Sequence, residues 1–194
     1  VVLSAAARER VAAARAVIER AVSSGSAVYG VNTGFGNLSN VRIADADLET
    51  LQERLVLSHA AGVGEPLPDP AVRGMLLLRA NTLAKGYSGV RPLLIDGLLA
   101  LLNMDLLPEV PSRGSVGASG DLAPLAHLAL PLLGRSRVRR AGKLVPAAEA
   151  LRDAGLAPLR LAPREGLGLV NGTQAMTSLL AHAVLESRRL VRVA

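Results

Sequence analysis

Residues 114–130 read GSVGASGDLAPLAHLAL. Glycines at 114, 117 and 120 make a loose loop, and the apolar run from Leu122 to Leu130 then keeps helical spacing. Asp121 stands where it can cap that helix, which leaves Ala118 and Ser119 as the small residues of the loop leading into it. A phosphate-cradling loop does not fit, because no Lys-Ser or Lys-Thr follows the glycines and Asp121 would repel an anion at the helix start. A hydrolase elbow does not fit either: it needs a residue between the serine and the glycine that follows, and Ser119 is followed directly by Gly120.

Composition narrows the field. The chain has 194 residues, half of them hydrophobic, and a mean hydropathy of +0.35, enough for one sizeable core. Without cysteine there is neither a disulfide nor a thiolate cluster, and three scattered histidines offer little to a metal, so no metal is expected. A reducing, cytoplasmic setting fits this best. No apolar stretch approaches the roughly 18 to 20 residues that cross a bilayer, so no membrane partner is expected. The net charge of +6 rests on arginine, since only Lys85 and Lys143 are lysine. These arginines are spread along helices and aromatic residues make up 2% of the chain, which argues against nucleic acid. The dense run of Arg135, Arg137, Arg139 and Arg140 reads as the solvated side of a hairpin.

Along the chain, helices alternate with glycine-rich loops. Ser4 caps a first helix with Val11, Ala14, Ile18, Ala21 and Val22 on its stripe and Gly25 as its stop. The loop YGVNTGFG follows at 29–36. Asp45 or Asp47 starts a second helix, striped by Leu48, Leu51, Leu55 and His59 and ending near Gly62. Asp69-Pro70 caps a third that runs to Gly86, and LLIDGLLALLN forms a fourth. Residues 137–145 alternate around Ala141-Gly142 as a small β-hairpin, with a short helix, PAAEALRDAG, behind it. A last helix runs from Gly172 or Thr173 to the C-terminus and is apolar on more than one side, so it lacks partners. The fold class is therefore mainly α.

One chemistry uses the tripeptide at 118–120 as it stands. If the Gly120 amide nitrogen approaches the Ala118 carbonyl carbon, a five-membered ring can close; loss of water there and from Ser119 leaves an exocyclic methylene. Gly120 leaves its nitrogen unobstructed, Ser119 supplies a leaving hydroxyl, and Ala118 keeps the approach open. The product, a 4-methylidene-imidazole-5-one, is an electrophile made from backbone, and Asp121 could assist the dehydrations.

Taken together, YGVNTGFG, LVLSHAAGVG, GYSGVR, GSVGASGDLAPLAHLAL and GLGLVNGTQA resemble, in order and spacing, the aromatic amino acid ammonia-lyases, and most closely their histidine branch. The resemblance implies that residues 1–194 form the helical N-terminal domain of that fold, that the protein is a homotetramer, and that Ala118, Ser119 and Gly120 mature unaided into the imidazolone. It implies non-oxidative deamination of L-histidine to trans-urocanate. The substrate amine adds to the methylene from Ser119 while the carbon beside the imidazole loses a proton. Tyr29 matches the family's catalytic tyrosine and is the expected base. Ser58 and His59 match the pair that selects the ring, replaced by Phe-Leu or His-Leu in phenylalanine and tyrosine lyases. On spacing alone, the place of His59 on the leucine stripe favours a hydrogen-bonded core histidine, and the resemblance reverses that reading. Asn171 matches a site asparagine and could also cap the last helix. Tyr87 and Arg91 are expected to shape the loop under the site, and His127 and His182 to be structural.

Family members continue with a C-terminal half that supplies another tyrosine, an arginine and a glutamate, whereas this chain stops at Ala194. Two alternatives follow: a non-catalytic fragment or assembly domain that needs that half, and an ammonia-lyase or aminomutase for another aromatic amino acid.

Overall fold

The Ser4 hydroxyl accepts a hydrogen bond from the Ala7 amide at 3.3 Å and starts helix α1 (Ala5–Ser23), which Gly25 follows at φ 73°. This computed structural model describes residues 1–117 and 119–194. Seven more α-helices follow among the described residues: α2 (Leu48–His59), α3 (Asp69–Leu83), α4 (Pro92–Asn103), α5 (Leu122–Ala129), α6 (Ala147–Asp153), α7 (Glu165–Val170) and α8 (Gln174–Val193). The mainly helical expectation therefore holds.

The expected hairpin is present as β4 (Arg137–Arg140) and β5 (Lys143–Pro146), turned by Ala141 and Gly142, both at positive φ. It carries a third strand that the sequence did not reveal, β2 (Leu107–Pro108), paired to β4. A second antiparallel pair, β1 (Val63–Pro66) with β3 (Pro111–Arg113), also escaped the pattern, because its strands are short and mostly exposed.

The core is built around α3 and α4. Met75, Leu76, Leu94, Ile95, Leu98, Leu101, Leu125, Leu128 and Leu169 are all fully buried there. Several expected details shift by a residue or a turn. On α2 the buried stripe is Leu48, Gln52, Leu55 and Val56, so a glutamine takes the place expected for Leu51. Asp69 lies in the first turn of α3 rather than capping it, and its carboxylate meets Arg139 of the hairpin. Arg135, Arg137 and Arg140 of the basic run are solvated, as expected, and paired with Glu53, Glu109 and Asp153, whereas Arg139 is half-buried.

Helix α8 packs on α3 only through its first turns. Ser178 Oγ donates to the Ala71 carbonyl at 2.7 Å where Gly74 lets the helices close up, while Leu180, Leu185, Leu190 and Val191 stand exposed. No helix among the described residues is long and apolar enough to cross a membrane.

Candidate active site

The glycine loop is gripped at both ends. Strand β3 delivers the chain to Gly114, at φ 144°, where a Cβ would stand 2.9 Å from the Gly62 Cα and 3.3 Å from Ala123. Val116 and Ser119 face solvent. Gly120 is buried at φ 120°, and a side chain on it would run into the Gly172 carbonyl oxygen. That same oxygen accepts the Asp121 amide at 2.7 Å. Ala118 lies outside the described residues.

Asp121 is 1% exposed, and its carboxylate does something the sequence did not suggest. It makes no capping bond to its own helix α5. Instead Oδ2 accepts the Met176 amide at 2.9 Å, so Asp121 caps α8, and Oδ1 accepts the Ser115 hydroxyl at 2.9 Å. Asp121 thus stands at the N-cap position of α5, as expected, but its carboxylate does not cap that helix: an orphan amide of α8, met in space rather than along the chain, holds it. These contacts leave room for glycine alone at 120, while Ser119 beside it is exposed.

Ser58 and His59 close helix α2. The Ser58 hydroxyl donates to the Leu55 carbonyl at 3.0 Å, and His59 Nδ1 lies 2.8 Å from the same oxygen. A carbonyl can only accept, so Nδ1 carries a proton, and it is Nε2 that carries the lone pair of the neutral ring. His59 is half-buried, at the end of the helix stripe rather than inside it. Just beyond, the Gly62 amide donates to His127 Nε2 at 3.0 Å, and Val63 pairs with Arg113. Burial lowers the pKa of His127, with Glu109 opposing weakly, which keeps that ring neutral and able to accept. The β1–β3 ladder thus ties the 58–62 segment to the glycine loop.

Asn171 is exposed at the C-terminal end of α7, and Thr173 rather than Asn171 stands at the start of α8. The idea that Asn171 caps the last helix is corrected accordingly: its amide closes α7 by donating to Leu167 at 3.1 Å. Its carbonyl receives Arg79 Nη1 at 3.0 Å. Arg79 is 3% exposed, and Nη1 also reaches Gln174 Oε1 at 2.8 Å while Nη2 bonds the Gly168 carbonyl. Burial lowers its pKa to about 10, which leaves it charged at neutral pH. Neither Arg79 nor Gln174 was marked by the sequence; the one available signal was an arginine in the middle of MLLLRANTL.

The other end of α7 is anchored by Arg91 and Glu165. Glu165 is wholly buried and takes Arg91 Nε at 2.9 Å, Arg91 Nη2 at 2.7 Å and the amides of Arg91 and Ala162. Arg91 thereby ties the end of the 86–91 loop to α7. The Gln52 side chain, through Oε1, receives the Gly166 amide at 2.9 Å and joins α2 to α7.

Tyr29 is placed differently. It is 54% exposed, with Phe35 edge-on to its ring at 6.1 Å, and lines an open groove of about 750 Å³ that also meets Arg10, Lys85, Tyr87 and Arg164. Gly30 beside it leaves no room for a Cβ, which would come within 2.6 Å of Arg164 Nη1 and 2.7 Å of Leu167. Burial lowers the pKa of Arg164, and nearby Tyr29 opposes that. The fold therefore brings Gly62 against Gly114, and Gly120 and Asp121 against the 172–176 segment. Among the described residues no hydrogen bond joins Tyr29 to Ser119, His59 or Asn171, and Gly30 of its loop packs against Leu167 of α7.

Comparison with known proteins gives a consistent result. The family model described as aromatic amino acid lyase matches residues 1–194. The histidine ammonia-lyase of Deinococcus radiodurans is 57% identical over 99% of this chain, which covers 37% of that protein. The crystal structure of histidine ammonia-lyase from Trypanosoma cruzi superposes with a TM-score of 0.91 at 43% identity, over 97% of this chain and 37% of that one. The phenylalanine aminomutase of Pantoea agglomerans superposes at 0.93 with 34% identity, over 99% of this chain and 37% of that one. The chain thus spans a little over a third of the length of these relatives.

Proposed function

Because this chain belongs to the aromatic amino acid lyase family, we propose that the protein containing it converts L-histidine to trans-urocanate and ammonia. The observation that carries this reading is the 57% identity to a histidine ammonia-lyase across nearly the whole chain. A second aromatic substrate or an aminomutase is the weaker reading, since the aminomutase relative is 34% identical.

In this reading Ala118, Ser119 and Gly120 form the imidazolone, and residues 1–194 are the domain that carries it. Once formed, that ring supplies an electrophilic methylene carbon for the substrate amine. The chain's own side chains do the rest. Asp121 pins the loop and assists the two dehydrations from its place beside Gly120. His59 offers the Nε2 lone pair to an imidazole N–H, and Ser58 orients that ring by sharing the Leu55 carbonyl. Tyr29 takes the proton from the substrate carbon next to the imidazole. A tyrosine hydroxyl is a weak base at neutral pH, and the Arg164 guanidinium lines the same groove. Asn171 holds the substrate or the ring carbonyl. The family's further site groups come from outside this segment. The exposed apolar length of α8 supports assembly into a homo-oligomer, a tetramer by family resemblance. The setting proposed is cytoplasmic.

The test is steady-state turnover of the natural polypeptide with L-histidine, L-phenylalanine and L-tyrosine, followed by ultraviolet absorbance. L-Histidine should win, and Ser119→Ala should abolish turnover. Preference for phenylalanine would sink the assignment of Ser58 and His59, and a competent Ser119→Ala protein would sink the assignment of the tripeptide.

A further inference from the structure

Arg79 is an expensive residue to bury. Its guanidinium is charged, its Nε is buried with no hydrogen-bond partner among the described residues, and its acceptors are two carbonyl oxygens and an amide oxygen rather than a carboxylate. For stability alone, an apolar side chain of similar size would serve as well.

What Arg79 does accomplish is geometric. It reaches back to Gly168 in α7, across to Asn171, and forward to Gln174 at the start of α8, so the short link between the two helices is strapped to α3. Gly172 sits inside that strap. A Cβ on Gly172 would run into Arg79 Nη1 and Gln174 Oε1 on one side, and a Cβ on Gly120 would run into the Gly172 backbone on the other. Arg79, Gly172 and Gly120 are thus stacked without spare room. The Gly172 carbonyl holds the Asp121 amide at 2.7 Å, and Asp121 is fixed from its far side by Met176 and Ser115.

We propose that Arg79 is a positioning residue for formation of the cofactor: by bracing Gly172 it keeps Gly120 seated for ring closure. This rests on the reading of Ala118-Ser119-Gly120 as the cofactor-forming tripeptide. In that closure the Gly120 nitrogen bonds the Ala118 carbonyl carbon, and the Ala118 oxygen leaves as water with the amide hydrogens of Gly120 and Ser119. A second water takes the Ser119 hydroxyl with its Cα hydrogen. No oxidant is required. Arg79 touches none of the reacting atoms and acts through Gly172, where a shift of about 1 Å can slow a step that depends on close approach by roughly a hundredfold.

The experiment uses the natural polypeptide, unsubstituted and as Arg79→Met, Arg79→Lys and Arg15→Met. Each is assayed for water loss from the peptide spanning 114–121 by mass spectrometry, beside its thermal midpoint. Arg15 is a second buried arginine that donates to a carbonyl, that of Pro163, away from this stack. The unsubstituted protein should lack two waters. Arg79→Met should retain them, with ring closure slowed about tenfold to a hundredfold, and Arg79→Lys, which keeps the charge and one donor arm, should recover part of the loss. Arg15→Met should lose thermal stability yet cyclise normally. If Arg79→Met does not fold, the milder Arg79→Lys carries the comparison through its slower water loss. A folded Arg79 variant that cyclises at the unsubstituted rate, or an Arg15→Met protein equally impaired, would overturn the proposal. Two waters retained in the unsubstituted protein would overturn the reading of the tripeptide, and this inference with it.

Discussion

The loops around Gly120 and Tyr29 look alike in sequence, each a run of glycines around one residue proposed for chemistry, but the fold treats them in opposite ways. Gly120 and Asp121 are buried against the 171–176 segment, with every polar atom of the Asp121 carboxylate engaged within this chain. Tyr29 points its ring into an open groove, touched by Phe35 and otherwise largely in solvent. Glycine spacing marks both as unusual backbone, yet it does not distinguish a loop clamped by its own chain from one whose functional side chain is left free. The clamp seats Gly120 and Asp121 with contacts from this chain alone, the arrangement that a strained backbone reaction needs.

That contrast can be broken most forcefully at α7, which lies between the two loops. Glu165→Ala leaves Arg91 and two amides without their acceptor and should lower stability by about 3 kcal/mol, at the low end for a buried pair because Arg91 is partly exposed. Denaturant unfolding measures it; a loss no larger than that of a surface substitution would show that α7 is not the common anchor. Asp121→Ala strips the cap from α8 and should cost about 1 to 2 kcal/mol by the same measurement.

His127 sharpens the comparison through pH, since its ring holds the 62 end of the clamp. Its pKa is lowered on folding, so well above pH 6.5 the ring is neutral in both states and contributes no slope. Below that value the unfolded chain takes up the proton first, and stability should fall as the pH falls, by less than about 1.4 kcal/mol per pH unit for this one group. His127→Gln, which keeps an acceptor for Gly62, should flatten that part of the profile; an unchanged slope would remove His127 from the account. The smallest effect on stability is expected at the open loop. Tyr29→Phe should shift it by no more than about 0.5 kcal/mol, while turnover of the natural polypeptide collapses. A large loss of stability would mean that the tyrosine hydroxyl is structural.

Local chemistry was legible in the sequence. The Ser4 cap, the Gly25 stop, the Ala141-Gly142 turn and the short helix behind it all depend on residues within a few positions of one another, and each forms where the pattern places it. The motifs were legible too, because each packs its chemistry into a few consecutive residues. What the tertiary structure alone decided are the partnerships at long range. Asp121 meets Met176 across 55 residues, Arg91 meets Glu165 across 74, and Arg79 meets Asn171 across 92. A buried charge or an orphan helix amide takes whichever partner the packing brings to it. Periodicity along the chain records which face is apolar, but not which distant carbonyl or carboxylate will lie against a given side chain.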